Sequence, residues 1–139
     1  MEKVTTNDRV MQFGTHYMLD GYGAPEETLS NKEALTIMLK RLPGEVGMHA
    51  ICDPVVVEAG PNNMKDPGGI SGFVMVAESH IAFHTFPKRG FVSIDIYTCQ
   101  DYLDTDMLTK KFVDLFKLEK YDEHPIMRRG TKYPVENIY

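Results

Sequence analysis

The sequence predicts an α+β protein in which an antiparallel sheet carries helices on one face. Two amphipathic helical segments enclose a region of short β-type segments, and "FPKRGF" has the turn-forming residues of a hairpin between two of them. With 139 residues, the chain has the length of one compact domain over residues 1–139.

Two segments predict the helices. In "LSNKEALTIMLKRLPG", Ser30 and Glu33 predict a capping box, and Pro43 with Gly44 predicts the end of the helix. In "DTDMLTKKFVDLFKLEKY", acidic residues occupy the first turn, where they favour the helix dipole. The predicted buried faces consist of Leu35, Met38, Leu39 and Leu42 in the first helix and of Leu108, Phe112, Leu115 and Phe116 in the second.

Between the helices, short segments predict strands. They are "GMHAICDPVVVEAG", "GISGFVMVA", "HIAFHTF" and "FVSIDIYTC", and the last alternates apolar with polar residues as a half-buried strand does. The N-terminal "VMQFGTHYMLDGYG" predicts another strand, and "HPIMRRG" a weaker one. Residues 58–69 form a long polar loop rich in turn formers. A sheet with helices on one face leaves its other face to be covered, so we expect a homodimer.

Composition and charge exclude several classes of function. A formal net charge of -5 gives no electrostatic basis for binding nucleic acid or an anionic membrane. No apolar run approaches the roughly 18 residues of a membrane span, and the first residues lack the basic-then-apolar order of a secretion signal. We therefore expect a cytoplasmic protein whose Cys52 and Cys99 are reduced thiols, Cys52 serving as a small apolar residue.

The stretch "ESHIAFH" places polar groups in the middle of a β-rich region. On a helix, His80 and His84 would have metal-binding spacing, but along a strand four residues separate the rings by about 13 Å. A Ser-His hydrolase would need a GxSxG elbow, which does not precede these histidines. The residues alone leave open whether this stretch is a functional site or a pair of strands interrupted by a polar kink.

Three motifs in "SGFVMVAESHIAFHTFPKRGFVSIDIYTC" keep a fixed spacing. They are the Glu-Ser-His triplet at 78–80, the His-Thr-x-Pro motif that begins at His84, and the Asp-x-Tyr-Thr-Cys motif that ends at Cys99. Together they resemble the signature region of the S-adenosylmethionine decarboxylases, the self-cleaving pyruvoyl enzymes of polyamine and spermidine synthesis. "FGTHYMLDGYGAPEE" is similar to the family's Gly-x-His strand.

The resemblance implies that the chain is a proenzyme, cleaved into residues 1–78 and 79–139. Ser79 Oγ would attack the carbonyl of Glu78 and convert the amide into an ester. Elimination and hydrolysis would then turn Ser79 into a pyruvoyl group at the start of the second fragment.

The resemblance also assigns roles to other residues. His84 would transfer a proton during processing, with Ser71 as its hydrogen-bond partner. The pyruvoyl group would form a Schiff base with the substrate amine and accept electrons as CO2 leaves, so neither pyridoxal phosphate nor a metal is expected. Cys99 would then protonate the product carbon, which suits a thiol at neutral pH. The family's dimer is a four-layer αββα sandwich with active sites near the interface.

Three positions depart from the family pattern on the side that binds the nucleoside. Lys88 stands where a ribose-binding glutamate is expected, Lys65 where a stacking aromatic is expected, and Gly21 where the N-terminal strand should supply another. Tyr22 is adjacent to Gly21, but strand alternation predicts that it points to the other face.

These departures lead to the hypothesis that the substrate is ornithine or arginine. A cationic tail would need a carboxylate partner. The candidate substrate-binding residues are Asp20, Asp66, Glu58 and Lys88. The alternative is decarboxylation of S-adenosylmethionine itself, and a third possibility is a non-catalytic paralogue that regulates an active partner.

Overall fold

Alternating apolar and polar residues build a central antiparallel sheet, as the sequence predicts. A computed structural model describes residue 1 and residues 9–139; residues 2–8, part of the segment considered for a secretion signal, lie outside the described residues. The strands are β1 Val10–Met11, β2 Gly14–Tyr22, β3 Val55–Ala59, β4 Gly69–Val76, β5 Ser79–Phe86, β6 Phe91–Thr98, β7 Lys120–Glu123, β8 Met127–Arg129 and β9 Tyr133–Pro134.

Hairpins order the sheet. In the described part of the chain, its strands follow the order β3-β4-β5-β6-β2-β7, with β8 also paired to β2, while β1 and β9 form a separate ribbon. The β5–β6 hairpin turns through a short 3-10 segment at Pro87–Arg89, as "FPKRGF" predicts, and Gly90 ends it with φ 59°. The segment "GMHAICDP" is not a strand, although Ala50 forms one bridge with Val76.

The helices are α1 Glu26–Leu29, α2 Lys32–Glu45 and α3 Thr105–Phe116. The predicted capping box of α2 is wrong: Asn31 is the N-cap, and its side chain accepts a hydrogen bond from the Ala34 N–H. Ser30 instead ends α1. The helix also continues through Pro43, so its predicted end is wrong by two residues.

Helix α3 buries a slightly different face from the one predicted. Leu108, Phe112 and Phe116 are fully buried, but Leu115 is on the exposed side. Lys117, at φ 51°, ends the helix in a left-handed conformation. The chain after it is therefore free to form β7, which the sequence pattern had included in the helical segment. Among the described residues, no helix has the length and apolar character needed to cross a membrane.

The helices and one face of the sheet enclose the core. Fully buried side chains from the sheet, such as Leu19, Phe83 and Ile94, pack with Leu39 of α2 and Phe112 of α3. Among the described residues, no helix covers the other face of the sheet, called the open face here, which carries a mixture of polar, aromatic and aliphatic side chains. The α+β prediction is therefore confirmed, with helices on one face of an antiparallel sheet.

Tyr17 provides a test of this core. Its side chain is fully buried, and its hydroxyl lies 2.7 Å from Thr109 Oγ1 of α3. Burial disfavours the phenolate and raises the pKa of Tyr17 to about 12. Because the unfolded chain ionises near pH 10, this contribution to the free energy of unfolding is complete below pH 10 and is lost as the pH rises towards 12.

Over this pH window we expect the wild type to lose about 3 kcal/mol more of its free energy of unfolding than Tyr17→Phe loses. Urea unfolding at a series of pH values measures the difference. Equal alkaline losses in the two proteins would contradict the assignment to Tyr17.

Candidate active site

The Glu78–Ser79 peptide bond lies at a tight hairpin turn. Val76 of β4 pairs with Ser79 of β5, so Ala77 and Glu78 form the turn. Ser79 has φ 146°, and among the described non-glycine residues it shares a positive φ only with Lys117. Two-residue hairpins favour turns with positive φ in the turn itself, whereas here the unusual angle falls on the residue that follows. Such a conformation costs on the order of 1–3 kcal/mol, and this strain is concentrated beside the predicted cleavage bond.

The carbonyl of that bond has a hydrogen-bond donor. The backbone N–H of Cys99 donates to the Glu78 carbonyl oxygen at 2.9 Å. A donor at this oxygen stabilises the negative charge that develops when a nucleophile attacks the carbonyl carbon. The structure thus brings Glu78, Ser79 and Cys99 together, as the sequence analysis expects.

A residue that the sequence analysis did not single out holds the Glu78 side chain. The backbone N–H of His49 lies 2.9 Å from Glu78 Oε1, and His49 Nδ1 lies 2.8 Å from Oε2. These hydrogen bonds, first among them that of the His49 side chain, lower the pKa of Glu78 below its ordinary value. No motif marks His49, because its partner is 29 residues away along the chain.

Ser71 and His84 form a second cluster. Ser71 Oγ lies 2.7 Å from His84 Nδ1, and the two residues are directly paired across β4 and β5. However, His84 is five residues from Ser79 along β5, which corresponds to about 17 Å. Within one chain, therefore, the structure does not bring this pair to the cleavage bond.

Two further histidines share one carboxylate on the open face. His16 Nε2 lies 3.1 Å and His80 Nε2 lies 3.4 Å from Asp95 Oδ1. Tyr97 lies beside both rings, with centroids 5.8 Å from each. His80 is thus fixed next to Ser79 by its neighbours on β2 and β6.

An aromatic cleft lies at the far end of the same face. Tyr22, Phe86 and Phe91 line it, with ring centroids 5.3 Å apart for Tyr22–Phe91 and 5.8 Å for Phe86–Phe91. Its volume is about 480 Å³, and its remaining lining residues are Asn63, Lys65, Asp66 and Arg89.

Tyr22 points to the face opposite Gly21, as strand alternation predicts, but the cleft lies on the face of Tyr22 and not on that of Gly21. Gly21 is the residue that faces the core, since a Cβ there would lie 2.6 Å from Leu118 Cδ1 and 2.9 Å from Val92 Cγ1. The absence of an aromatic at Gly21 therefore removes nothing from the cleft.

Comparison with known proteins agrees with this geometry. The family model described as S-adenosylmethionine decarboxylase matches residues 15–129. The chain belongs to this family. It is 29% identical over 120 residues to the S-adenosylmethionine decarboxylase proenzyme of Archaeoglobus fulgidus, covering 86% of this chain and 100% of that one. It is 31% identical to the Thermococcus onnurineus proenzyme, covering 86% and 79%.

A solved structure shares the fold of this S-adenosylmethionine decarboxylase family member. The adenosylmethionine decarboxylase of Aquifex aeolicus superposes with a TM-score of 0.70 at 20% identity, covering 93% of this chain and 97% of that one. The resemblance found in the sequence is thus confirmed, and the chain is an enzyme of a pyruvoyl-dependent carboxy-lyase family.

The candidate substrate-binding residues of this family member lie in different places. Asp66 lines the aromatic cleft. Asp20 lies 2.7 Å from His124 in a separate cleft with His16 and Asp95. Glu58 lies beside Gly69 and Pro87 in a shallow groove, and Lys88 is exposed in the β5–β6 turn. The structure does not gather these four residues into one site.

Proposed function

We propose that the chain is a self-processing, pyruvoyl-dependent decarboxylase that acts on S-adenosylmethionine. The observation that carries this proposal is the strained Glu78–Ser79 turn, whose carbonyl accepts the Cys99 N–H, in a chain of this family. The substrate follows the name shared by its relatives. The hypothesis of ornithine or arginine has no such support.

Self-cleavage begins at Ser79. Its Oγ attacks the Glu78 carbonyl carbon while the Cys99 N–H stabilises the developing oxyanion. The peptide C–N bond breaks, leaving an ester, and relief of the backbone strain at Ser79 favours this step. Loss of the Ser79 Cα proton then breaks the ester and expels the main-chain carboxylate of Glu78, which becomes the end of the first fragment. Hydrolysis of the resulting dehydroalanine releases ammonia and leaves a pyruvoyl group at residue 79.

The residues present fit this group. The pyruvoyl group supplies a ketone that links covalently to the substrate amine and accepts the electrons of the breaking C–C bond. Cys99 directly follows β6, and its backbone N–H is hydrogen-bonded to the cleavage site. In this proposal its thiol delivers the proton to the product carbon. His80, held by Asp95, borders the same end of the sheet.

A second copy of the chain completes the site in this proposal. His84 lies about 17 Å from Ser79 along β5, and Ser71 is paired with it across β4, so both are too far from Ser79 for direct proton transfer. Both occupy the open face of the sheet, which also exposes Phe73 and Met75. Packing two open faces together in an αββα homodimer covers these side chains and allows the Ser71–His84 pair of one copy to approach Ser79 of the other.

The aromatic cleft favours a nucleoside over a cationic tail. Phe86 lies seven residues, or about 23 Å, from Ser79 along β5, so in the proposed dimer the cleft of one copy serves Ser79 of the other. Adenine is a neutral aromatic ring that can stack on Phe86 or Phe91, and Asp66 can accept hydrogen bonds from ribose hydroxyls. Lys65 and Arg89 also line the cleft and place two cations beside its aromatic rings. Repulsion from these groups disfavours the ammonium of ornithine or the guanidinium of arginine there.

Substrate choice is tested by mixing the cleaved enzyme separately with S-adenosylmethionine, ornithine and arginine and measuring CO2. We expect release from S-adenosylmethionine at the highest kcat/KM. Faster release from ornithine or arginine would overturn the substrate assignment, and release from none of them would support the non-catalytic paralogue.

Phe91→Ala tests the aromatic cleft. One stacking contact contributes about 0.5–1.5 kcal/mol, so we expect KM for S-adenosylmethionine to rise by up to about tenfold while self-cleavage is unchanged. Tyr102→Ala, which removes an aromatic that is 77% exposed and outside the cleft, is the matched control. Equal KM values for the two variants would place the nucleoside elsewhere.

A further inference from the structure

His49 makes three hydrogen bonds to the two residues of the cleavage turn. Its backbone N–H and Nδ1 contact the two oxygens of the Glu78 carboxylate at 2.9 and 2.8 Å. Its carbonyl oxygen accepts the Ala77 N–H at 2.7 Å. The turn is therefore held through both its main chain and its side chain.

The backbone of the neighbouring residues fixes His49 in place. Ala50 forms a bridge with Val76, and the Ile51 N–H donates to the Met75 carbonyl at 3.0 Å. The His49 side chain is nevertheless 78% exposed, whereas that of Glu78 is only 15% exposed. An imidazole so exposed adds little to core packing, so its defined contact is the one with Glu78.

The position of the Glu78 carboxylate matters once an ester has formed. A free glutamate carboxylate can reach its own carbonyl carbon through a six-membered ring. Attack there forms a cyclic anhydride and breaks the bond to Ser79 Oγ, which takes up a proton from water. Water then opens the anhydride, and the second fragment begins with an ordinary serine instead of a pyruvoyl group. Hydrogen bonds to both carboxylate oxygens oppose this reaction, because the carboxylate must leave its donors to attack.

We propose that His49 is a positioning residue for self-cleavage: it holds Glu78 so that Ser79 can attack its carbonyl and so that the ester proceeds to the pyruvoyl group. This inference rests on the proposed function. His49 acts through Glu78 and takes no part in proton transfer. The lowered pKa of Glu78 agrees with it, since the carboxylate is held in its charged form.

The test follows the full chain after rapid synthesis or refolding, with cleavage measured by electrophoresis and the new N-terminus by mass spectrometry. For His49→Ala we expect cleavage about tenfold slower, as fits the loss of a charge-assisted hydrogen bond. We also expect a share of second fragments that start with serine. These are heavier than the pyruvoyl form by the mass of the ammonia that pyruvoyl formation releases. Asparagine can present an N–H close to the position of Nδ1, so His49→Asn should recover most of the rate.

Two further variants make the test specific. His124→Ala removes another exposed imidazole that contacts a carboxylate, that of Asp20 at 2.7 Å, and it should cleave as the wild type does. In the double variant His49→Ala/Glu78→Gln, the serine-terminated fragment should disappear, because an amide is a poor nucleophile. Thermal unfolding of each variant, carried on a Ser79→Ala background, checks that the fold is kept.

The outcomes separate this inference from the proposed function. A wild-type chain that never cleaves would overturn the proposed function. A wild type that cleaves, together with a His49→Ala variant of equal rate and uniformly pyruvoyl terminus, would overturn only the role of His49. Slow cleavage of both His49→Ala and His49→Asn would also overturn it. The lower cleavage rate would then not be explained by the missing hydrogen bond to Glu78, which asparagine can restore.

Discussion

Replacement of Ser79 by alanine is expected to leave the chain intact and to reduce CO2 release to background. Without the hydroxyl, no ester can form at Glu78, and without the ester no pyruvoyl group arises. On denaturing gels the variant should run as one band of 15.8 kDa. The wild type should give fragments of about 9 and 7 kDa, from cleavage after residue 78 of 139.

Ser30→Ala is the matched control, since Ser30 is an exposed serine at the end of α1. It should cleave and decarboxylate as the wild type does. Cleavage of Ser79→Ala at the same position, or an uncleaved wild type with full activity, would show that Ser79 is not the source of the reactive group.

Ser79→Gly measures the strain separately from the chemistry. Glycine adopts φ 146° at little cost, whereas alanine retains the Cβ that makes this angle unfavourable. Both variants are unable to cleave, so their stabilities can be compared directly. We expect Ser79→Gly to be more stable than Ser79→Ala by about 1–2 kcal/mol, and equal stabilities would mean that the turn stores no strain.

Much of the fold follows from local patterns. The alternation in β6 and the turn residues of "FPKRGF" predict a strand and a hairpin, and both are present. The prediction fails where the boundary of an element depends on which of two neighbouring residues takes a given role. Asn31 rather than Ser30 caps α2, because α1 occupies the chain up to Leu29 and Ser30 closes it. A second helix so close by could not be foreseen from the capping pattern alone.

The expectation that position 21 would face the cleft fails for a similar reason. Side chains alternate between the faces of a strand, so a shift of one residue exchanges the core face and the open face. The resemblance placed the expected aromatic at Gly21, but Leu118 and Val92 fill the space beside it. Only the packing around the strand shows that Tyr22, and not Gly21, belongs to the cleft.

The sequence names candidate site residues but does not predict how they are arranged. Ser71, Glu78, Ser79, His84 and Cys99 lie within 29 residues of sequence, which suggests one compact cluster. Extended strands separate residues by about 3.3 Å each, so proximity in sequence becomes distance along the sheet. Contacts across strands do the opposite: they bring the Cys99 N–H to Glu78, 21 residues away.

Two inactive variants are expected to restore each other's cleavage when they are produced together. In the proposed mechanism, Ser79→Ala lacks the nucleophile and His84→Ala lacks the proton-transfer group, so each variant on its own should remain uncleaved. In a mixed dimer of the proposed kind, however, Ser79 of the His84→Ala chain would face the intact Ser71–His84 pair of the Ser79→Ala chain. One of the two sites is then complete, and only the His84→Ala chain can be cut.

Mass spectrometry identifies which chain is cleaved, because each carries its own substitution: the second fragment should carry the His84→Ala substitution and start with a pyruvoyl group. A site built within a single chain predicts no cleavage in the mixture, since one chain lacks Ser79 and the other lacks His84. Mixing Ser79→Ala with Ser71→Ala should behave like the first pair, because Ser71 Oγ lies 2.7 Å from His84 Nδ1 and the proposed mechanism uses the two residues together. Mixing His84→Ala with Ser71→Ala should fail to give full cleavage, because no dimer of these chains carries an intact Ser71–His84 pair. The difference between these mixtures therefore reports which copy supplies each group, independently of any assumption about the substrate.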